Sequence, residues 1–257
     1  MKLYHYTSVE SFEKIWDSKS LKFSQCKTTN DSFERNKSLR LSWDSFPDTK
    51  DKEIINDFFL SLFNEIEEYH QISLTKDYDN LKGFASPMMW GQYARTKLPN
   101  GIWQDGVCIE LDSSKIRRPE FHYYEGEIEY KELVPMPCIF GINPKDPQAA
   151  DKYVSMNKDL LFFTKHIHWN NENEYRIVCK GKEYLDISEA ITGIYVIGNE
   201  SPAFNKVSDL VEDESLINFL SLGGFDGLCL VPTNLKHFND FHRSISSRGI
   251  NPDKYKR

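Results

Sequence analysis

Two glutamates in the second half of the chain, Glu172 and Glu174, lie two residues apart where an apolar, strand-like segment begins. Side chains at this spacing project to the same side of a strand. One carboxylate can then hold a ribose hydroxyl while the other contacts an incoming nucleophile, and Arg176 can pair with either. The alternative interpretation is an exposed acidic turn with an arginine salt bridge, which contributes little to stability.

A histidine lies near the start of the sequence, within the Tyr-His-Tyr-Thr-Ser segment at residues 4–8. His5 can hydrogen-bond a ribose hydroxyl, and the hydroxyls of Tyr6 and Thr7, with the amides of a following helix, can bind polar or anionic groups. In the structural alternative Thr7 caps that helix in a capping box with Glu10, and His5 is partly buried with its hydrogen bonds satisfied. Taken alone, this segment favours the structural alternative.

Two further segments carry polar or aromatic side chains at helical spacing. Within residues 89–94, Trp90 and Tyr93 are three apart and share a helix face. They can sandwich a flat ring such as nicotinamide or a base, or they can pack in the core, and the pattern favours the two equally. The Asn-Asp-Ser-Phe-Glu segment at residues 30–34 can position a ligand, although a capped helix start is the favoured interpretation.

The composition limits the classes of protein to consider. The formal net charge is -7 with no basic run, which disfavours an extended nucleic-acid surface. The five cysteines are scattered without a Cys-x-x-Cys pair, as in a reducing compartment, and no metal is expected. With no signal peptide and no membrane-spanning run, the predicted localisation is cytoplasmic. The length predicts one domain over residues 1–257, with the core motifs in 3–180 and with 181–257 completing the sheet and adding a helical tail.

The apolar pattern places these segments on intermixed helices and strands. Helices are predicted after the capping box at 7–10 and over 51–71, 88–95, 152–165 and 211–222. Strands are predicted over 2–6, 21–24, 72–75, 106–112, 122–130, 174–179, 194–197 and 227–231. Because the two types do not alternate regularly, the predicted fold class is α+β.

Taken in order, these segments resemble a bacterial family of unknown function. Its members carry H-Y-T-S, N-D-x-F-E, M-W-x-x-Y-A, G-V-C-I-E-L-D and E-x-E-[YW]-R, and this chain matches them at residues 5–8, 30–34, 89–94, 106–112 and 172–176. The match spans roughly residues 3–180. It departs from the family at Ser32, where proline is usual.

The order of histidine, helical tyrosine and strand-borne glutamate is also similar to the ADP-ribosyltransferase superfamily. That resemblance implies a split mixed or antiparallel sheet with surrounding helices, and NAD as substrate. It implies that His5, with Tyr6 and Thr7, binds NAD, and that Tyr93, with or without Trp90, stacks on nicotinamide. Arg176 would also contact the NAD site.

The same resemblance assigns the catalytic step to the carboxylates together with His5. Glu174 would hold the ribose 2′-hydroxyl and stabilise positive charge as nicotinamide leaves, and Glu172 would orient the acceptor. The choice between the two glutamates stays open. The implied activity is ADP-ribosyl transfer to a macromolecular acceptor, in a toxin or phage-defence setting. The identity of the acceptor and the oligomeric state are open.

Three rival functions are consistent with the same residues. The nearest is NAD hydrolysis, in which water is the acceptor. A second is a non-catalytic module that binds a nucleotide or a partner protein. A third, less favoured, is a nuclease that uses His166, His168, Glu172 and Glu174 with a divalent ion.

Overall fold

The computed structural model describes residues 1–25, 31, 52–120, 122–135, 141–223 and 229–247. Of the Asn-Asp-Ser-Phe-Glu segment at residues 30–34, all but the buried Asp31 lies outside the described residues. The described chain mixes helices with strands in parallel and antiparallel pairs, which confirms the α+β prediction.

The helices, numbered here in chain order, are α1 Val9–Ser18, α2 Lys52–Glu67, α3 Pro87–Tyr93, α4 Ala149–Phe162, α5 Pro202–Leu210 and α6 Leu235–Ser247. Two of them begin with the same signal, a serine cap followed by proline. Ser86 accepts the amide of Met89 at the start of α3, and Ser201 accepts that of Phe204 at the start of α5. Proline fits the first turn because that turn needs no amide donor there.

The strands are β1 Lys2–Thr7, β2 Ser20–Lys22, β3 Ser24–Gln25, β4 Tyr69–Lys76, β5 Arg95–Lys97, β6 Trp103–Asp105, β7 Val107–Asp112, β8 Tyr123–Glu127, β9 Glu129–Lys131, β10 Thr164–His166, β11 Glu174–Lys180, β12 Tyr184–Asp186, β13 Ile191–Ile197, β14 Ile217–Gly223 and β15 Cys229–Asn234. Short 3-10 turns add to these, of which the turn over Ile167–Glu172 matters for the site.

Contacts between Cα atoms divide the chain into two compact units, each built from separate segments. The first unit holds Met1–Ser20, Leu74–Ile116 and Asp186–Arg257, and the second holds Leu21–Ser73 and Arg117–Leu185. The prediction of one domain over residues 1–257 stays a prediction.

In the first unit, β1 pairs antiparallel with β7, which pairs antiparallel with β13. β13 pairs in parallel with β14, and β14 pairs antiparallel with β15, so this sheet is mixed. Side chains of β1, α3 and neighbouring elements form one buried core cluster. It consists of Tyr4, Tyr6, Phe84, Met89, Trp90, Ala94, Cys108, Tyr195 and Leu220.

In the second unit, β3 pairs antiparallel with the first residues of β4, and β8 pairs antiparallel with β11. β9 and β10 form a separate two-stranded parallel sheet, with Lys165 opposite Tyr130. The apolar faces of α2 and α4 supply most of the core, which includes Phe58, Phe59, Leu62, Ile66, Tyr69, Tyr153, Leu161, Phe162 and Val178. This unit therefore has a core of its own.

Several predicted elements need correction. The helix predicted over 51–71 ends at Glu67, because Tyr69 begins β4. The helix predicted over 152–165 ends at Phe162, so that Thr164–His166 is a strand. The helix predicted over 211–222 was wrong: that stretch follows α5 and contains β14.

The predicted capping box also was wrong in its residues. Thr7 is the last residue of β1, and Ser8 is the cap of α1, where its hydroxyl accepts the amide of Ser11. Glu10 pairs with Lys14 on the helix surface rather than reaching back to the cap.

No helix among the described residues combines the length and apolar character needed to cross a membrane.

Candidate functional site

Arg176 is the largest fully buried side chain of the described chain and pairs with a glutamate in its own strand. Its Nε donates to Oε1 of Glu174 at 2.7 Å, and its Nη2 donates to Oε2 at 2.9 Å. Its Nη1 donates to the carbonyl of Phe162 at 2.7 Å. Both residues lie on β11, two apart, so the strand itself directs them to one side. The result is a bidentate ion pair at the start of β11.

Lys165 joins the second glutamate to this pair. Its ammonium nitrogen lies 2.7 Å from Oε2 of Glu172 and 2.8 Å from Oε2 of Glu174. Lys165, Glu172, Glu174 and Arg176 are each at most 5% exposed. We call these four side chains the buried quartet. Two carboxylates and two cations balance, as the cost of burying charge requires.

Two aromatic side chains of the second unit lie next to the quartet. The hydroxyl of Tyr130 accepts the backbone amide of Glu174 at 3.0 Å. The half-buried Trp169 ring has the Lys165 ammonium 5.4 Å from its centroid, within the range of a cation–π contact. The β9–β10 sheet therefore supplies both Lys165 and Tyr130 to the start of β11.

The environment of Glu174 keeps its carboxyl ionised. Burial alone would raise the pKa of Glu174, but the charges and hydrogen bonds of Arg176 and Lys165 outweigh it and lower the pKa to about 2. Burial likewise raises the pKa of the Tyr130 hydroxyl well above its ordinary value, so that this group stays protonated. At neutral pH Glu174 is therefore an ionised carboxylate whose charge is balanced by Arg176 and Lys165, and the Tyr130 hydroxyl stays neutral.

The sequence placed three of the four members of the quartet together, but for a partly wrong reason. Glu172 is not on the strand: it ends the 3-10 turn Ile167–Glu172, and Asn173, with a φ of 44°, turns the chain before β11. The two carboxylates share a contact with Lys165. The alternative of an exposed acidic turn is wrong, since both glutamates are 3% exposed.

Lys165 was missed altogether. The predicted helix over 152–165 placed it in the last helical turn and gave it no role in the site. A signal was present nonetheless: Lys165 ends the run Leu-Leu-Phe-Phe-Thr-Lys at residues 160–165, in which every other member is apolar or small. A single charge at the end of a buried run is buried itself only with a partner.

The other predicted site residues lie in the first unit. His5 is half-buried on β1, opposite Ile109. The rings of Tyr6 and Trp90 meet edge to face with centroids 5.3 Å apart, and the Tyr6 hydroxyl donates to the carbonyl of Gly83. Burial is the main reason that the pKa of Tyr6 lies well above its ordinary value. Thr7 is buried at the end of the strand.

Trp90 and Tyr93, the predicted aromatic pair, differ in their exposure. Trp90 is 3% exposed, and its indole nitrogen donates to the carbonyl of Phe84 at 2.8 Å, which makes it a core residue. Tyr93, the last residue of α3, is half-buried and packs against the same cluster. Of the two, Tyr93 has the larger share of its surface open to a ligand.

A second charged group in the first unit was not predicted. Glu110, on β7, accepts hydrogen bonds from the hydroxyls of Thr192 and Tyr195, each at 2.8 Å, and pairs with Lys2 at 2.9 Å. Burial raises the pKa of Glu110, but these three partners together lower it below its ordinary value. These contacts fix β7 to β1 and β13 at one end of the sheet.

The histidines of the nuclease alternative lie next to the quartet in sequence. The rings of His166 and His168 are 4.5 Å apart between centroids, and Nδ1 of His166 accepts the backbone amide of His168 at 3.3 Å. Within the described ranges, no three or more His, Cys, Asp or Glu side chains are grouped so that they can hold a metal ion.

Comparison with known proteins bears on the family and leaves the activity open. No curated protein and no solved structure matches the chain. The predicted resemblance to a family of unknown function is confirmed over one stretch, which contains Trp90, Tyr93 and all four members of the buried quartet. Residues 89–177 match the model of the family described as Protein of unknown function (DUF2971).

Proposed function

We propose that this protein cleaves NAD and transfers ADP-ribose to a macromolecular acceptor, with Glu174 as the catalytic carboxylate. The observation that carries the proposal is geometric: the ionised carboxylate of Glu174 is held beside Glu172 by their shared contact with the Lys165 ammonium. Once a substrate replaces one of the contacts to the cations, a carboxylate in such a buried site acts more strongly on a nearby positive charge than it would in water.

The proposed reaction breaks the C–N bond between ribose and nicotinamide. The bonding electrons leave with nicotinamide, whose ring becomes neutral, and positive charge develops on the ribose. An ionised carboxylate beside the anomeric carbon stabilises that charge. A nucleophile of the acceptor, oriented by Glu172, then bonds to the anomeric carbon and releases its proton to water. The setting that we propose is a toxin or a phage-defence effector.

Substrate can reach Glu174 only after a local rearrangement. Both carboxylate oxygens are engaged by Arg176, one of them also by Lys165, and the residue is 3% exposed. A ribose hydroxyl must therefore add to or replace one of these contacts, and a side chain that covers the quartet must move. Catalytic hydrogen bonds are often completed only in the substrate complex.

The roles that the resemblance implies for the first unit are part of the proposal. His5, Tyr6 and Thr7 bind the nucleotide, and Tyr93 stacks on nicotinamide. Tyr93 takes the stacking role alone, because Trp90 is 3% exposed and its indole nitrogen is bonded to a carbonyl of the core.

The test is nicotinamide release from NAD by the purified protein without added metal, with and without a cell lysate as a source of acceptors. We expect release by the wild type and none by Glu174→Gln. The matched control is Glu129→Gln, which removes a carboxylate from a surface pair with Lys131 in the same unit and should keep the wild-type rate. Circular dichroism of each variant shows whether the fold survives, and Glu172→Gln provides a second variant. Equal release by wild type and Glu174→Gln would refute the role of Glu174.

NAD hydrolysis is the nearest rival, and the products separate it from transfer. Transfer labels protein or nucleic acid in the lysate with ADP-ribose, whereas hydrolysis yields free ADP-ribose alone.

A non-catalytic binding module is the second candidate, and one observation favours it. The quartet is charge-balanced and closed, as expected of residues that specify a fold. This candidate predicts that NAD or a partner binds without nicotinamide release, even in the presence of lysate.

A further inference from the structure

Lys165 contacts both carboxylates of the quartet with a single atom. Its Nζ lies 2.7 Å from Glu172 and 2.8 Å from Glu174. The guanidinium of Arg176 binds Glu174 and the Phe162 carbonyl. Lys165 therefore bridges the two glutamates in this network.

The charge balance of the quartet also depends on Lys165. Glu172, Glu174 and Arg176 alone would leave an excess negative charge among side chains that are at most 3% exposed. Two carboxylates that contact the same ammonium nitrogen are close to each other, and like charges so close repel strongly in a low-dielectric interior. The positive charge of the ammonium offsets that repulsion. Lys165 supplies this charge from β10, where its pairing with Tyr130 of β9 fixes the strand position.

We propose that Lys165 is the positioning residue of the carboxylate pair, holding Glu172 and Glu174 at the separation and in the charge state that the site requires. The catalytic consequence rests on the function proposed above; the effect on the carboxylates does not. Other groups that face or neighbour the pair are Arg176, the Tyr130 hydroxyl, the Phe162 carbonyl and the neighbouring His166 and His168.

The test measures the titration of Glu174 directly, by carbon NMR of the labelled carboxyl, with the resonance assigned as the one absent from Glu174→Gln. In Lys165→Met we expect the pKa of Glu174 to rise by about 1–3 units, the usual effect of losing a close opposite charge. Lys165→Arg should keep the pKa low. The matched control is Lys131→Met, which removes a lysine of the partner strand β9 that pairs at the surface with Glu129.

Nicotinamide release gives the second readout. Lys165→Met should lose rate between about pH 5 and pH 3, where wild type and Lys165→Arg keep theirs. Should Lys165→Met fail to fold, Lys165→Gln removes the charge while keeping a hydrogen-bond donor and replaces it in both measurements.

The two proposals fail in different ways. A wild type that releases no nicotinamide contradicts the proposed function, and the titration still decides the role of Lys165. An unchanged Glu174 titration in Lys165→Met or Lys165→Gln, equal to that in Lys131→Met, overturns the positioning role whatever the wild-type activity.

Discussion

The guanidinium of Arg176 binds both carboxylate oxygens of Glu174, two residues earlier in the same strand, at 2.7 and 2.9 Å. The remaining nitrogen bonds to the Phe162 carbonyl at the end of α4. Arg176 thus fixes Glu174, the first residue of β11, and donates to a carbonyl in the last turn of α4. Only a planar, forked donor can do both, which makes arginine and lysine unequal at this position.

Replacing Arg176 by lysine is therefore expected to be costly although the charge is kept. A lysine side chain cannot reach two oxygens and the carbonyl together, so buried acceptors lose their donors. We expect Arg176→Lys to lower the free energy of unfolding by about 3–5 kcal/mol, measured in urea. Arg118→Lys alters an arginine that binds Glu125 at 3.0 Å nearer the surface, and should cost less than about 1 kcal/mol. Similar losses in the two variants would contradict the special role of the Arg176 fork.

The stability of the protein should depend on pH through Glu174. Because its folded pKa is lowered from 4.5 to about 2, the ionised form stabilises the fold above about pH 4.5, and this contribution is lost as the pH falls towards 2. Its size is roughly 3 kcal/mol at neutral pH. Glu174→Gln should thus be much less stable than wild type at pH 7, with a gap that narrows at pH 3. Urea titrations at both pH values measure it, and a gap that does not change with pH would disprove the prediction. Glu129→Gln should show a small gap at both.

Gly106 should tolerate no side chain. A Cβ there would lie 2.1 Å from the Thr7 carbonyl oxygen and 3.1 Å from that of Ala94, and the Gly106 amide already bonds to Ala94. Backbone cannot give way as a flexible side chain does, so Gly106→Ala should cost about 1–3 kcal/mol or more. Gly91→Ala, in α3, meets nothing within 4 Å and should gain about 0.5–1 kcal/mol. Thermal unfolding of both variants compares them, and a stable Gly106→Ala would contradict this packing.

Trp90 should act as a core residue. Trp90→Phe removes the donor to the Phe84 carbonyl and empties part of a buried volume, so we expect a loss of about 2–4 kcal/mol in urea unfolding. Trp103→Phe, at a tryptophan that is 52% exposed, should change stability by less than about 1 kcal/mol. If NAD binding is found, Trp90→Phe should affect it only through stability, whereas Tyr93→Ala should weaken it directly. Wild-type NAD affinity in a folded Tyr93→Ala would argue against stacking at this residue.

The elements that the sequence predicted well are those with strong local signals. The strands at residues 107–112 and 174–179 contain the runs Val-Cys-Ile at 107–109 and Ile-Val-Cys at 177–179, which are apolar with β-branched residues and are buried. The start of α3 was predicted from Pro87, whose ring suits a first helical turn. In each case the residues of the element itself carry enough information.

The wrong predictions concern residues whose secondary structure or burial depends on contacts with distant parts of the chain. Residues 217–223 have apolar positions compatible with a helix, but pairing with β13 and β15 makes them a strand. The serine–proline start at Ser201 and Pro202 was an unused signal for α5. Lys165 shows the same limit in the site: its burial depends on two glutamates that come after it in the chain, and a single sequence does not reveal that contact.

The interleaving of the two units has a consequence for synthesis on the ribosome. β1 is made well before its neighbour β7, which follows about 100 residues later, and β13 to β15 are made later still. A strand cannot pair until its distant partner has been synthesised. Folding is therefore slow, and the apolar side chains of the early strands stay exposed in the meantime. The second unit closes with Leu185, before β13 has been made. The second unit, with its buried quartet, is therefore synthesised in full before the sheet that carries His5 is complete, and β1 waits longest for the strands that complete its sheet.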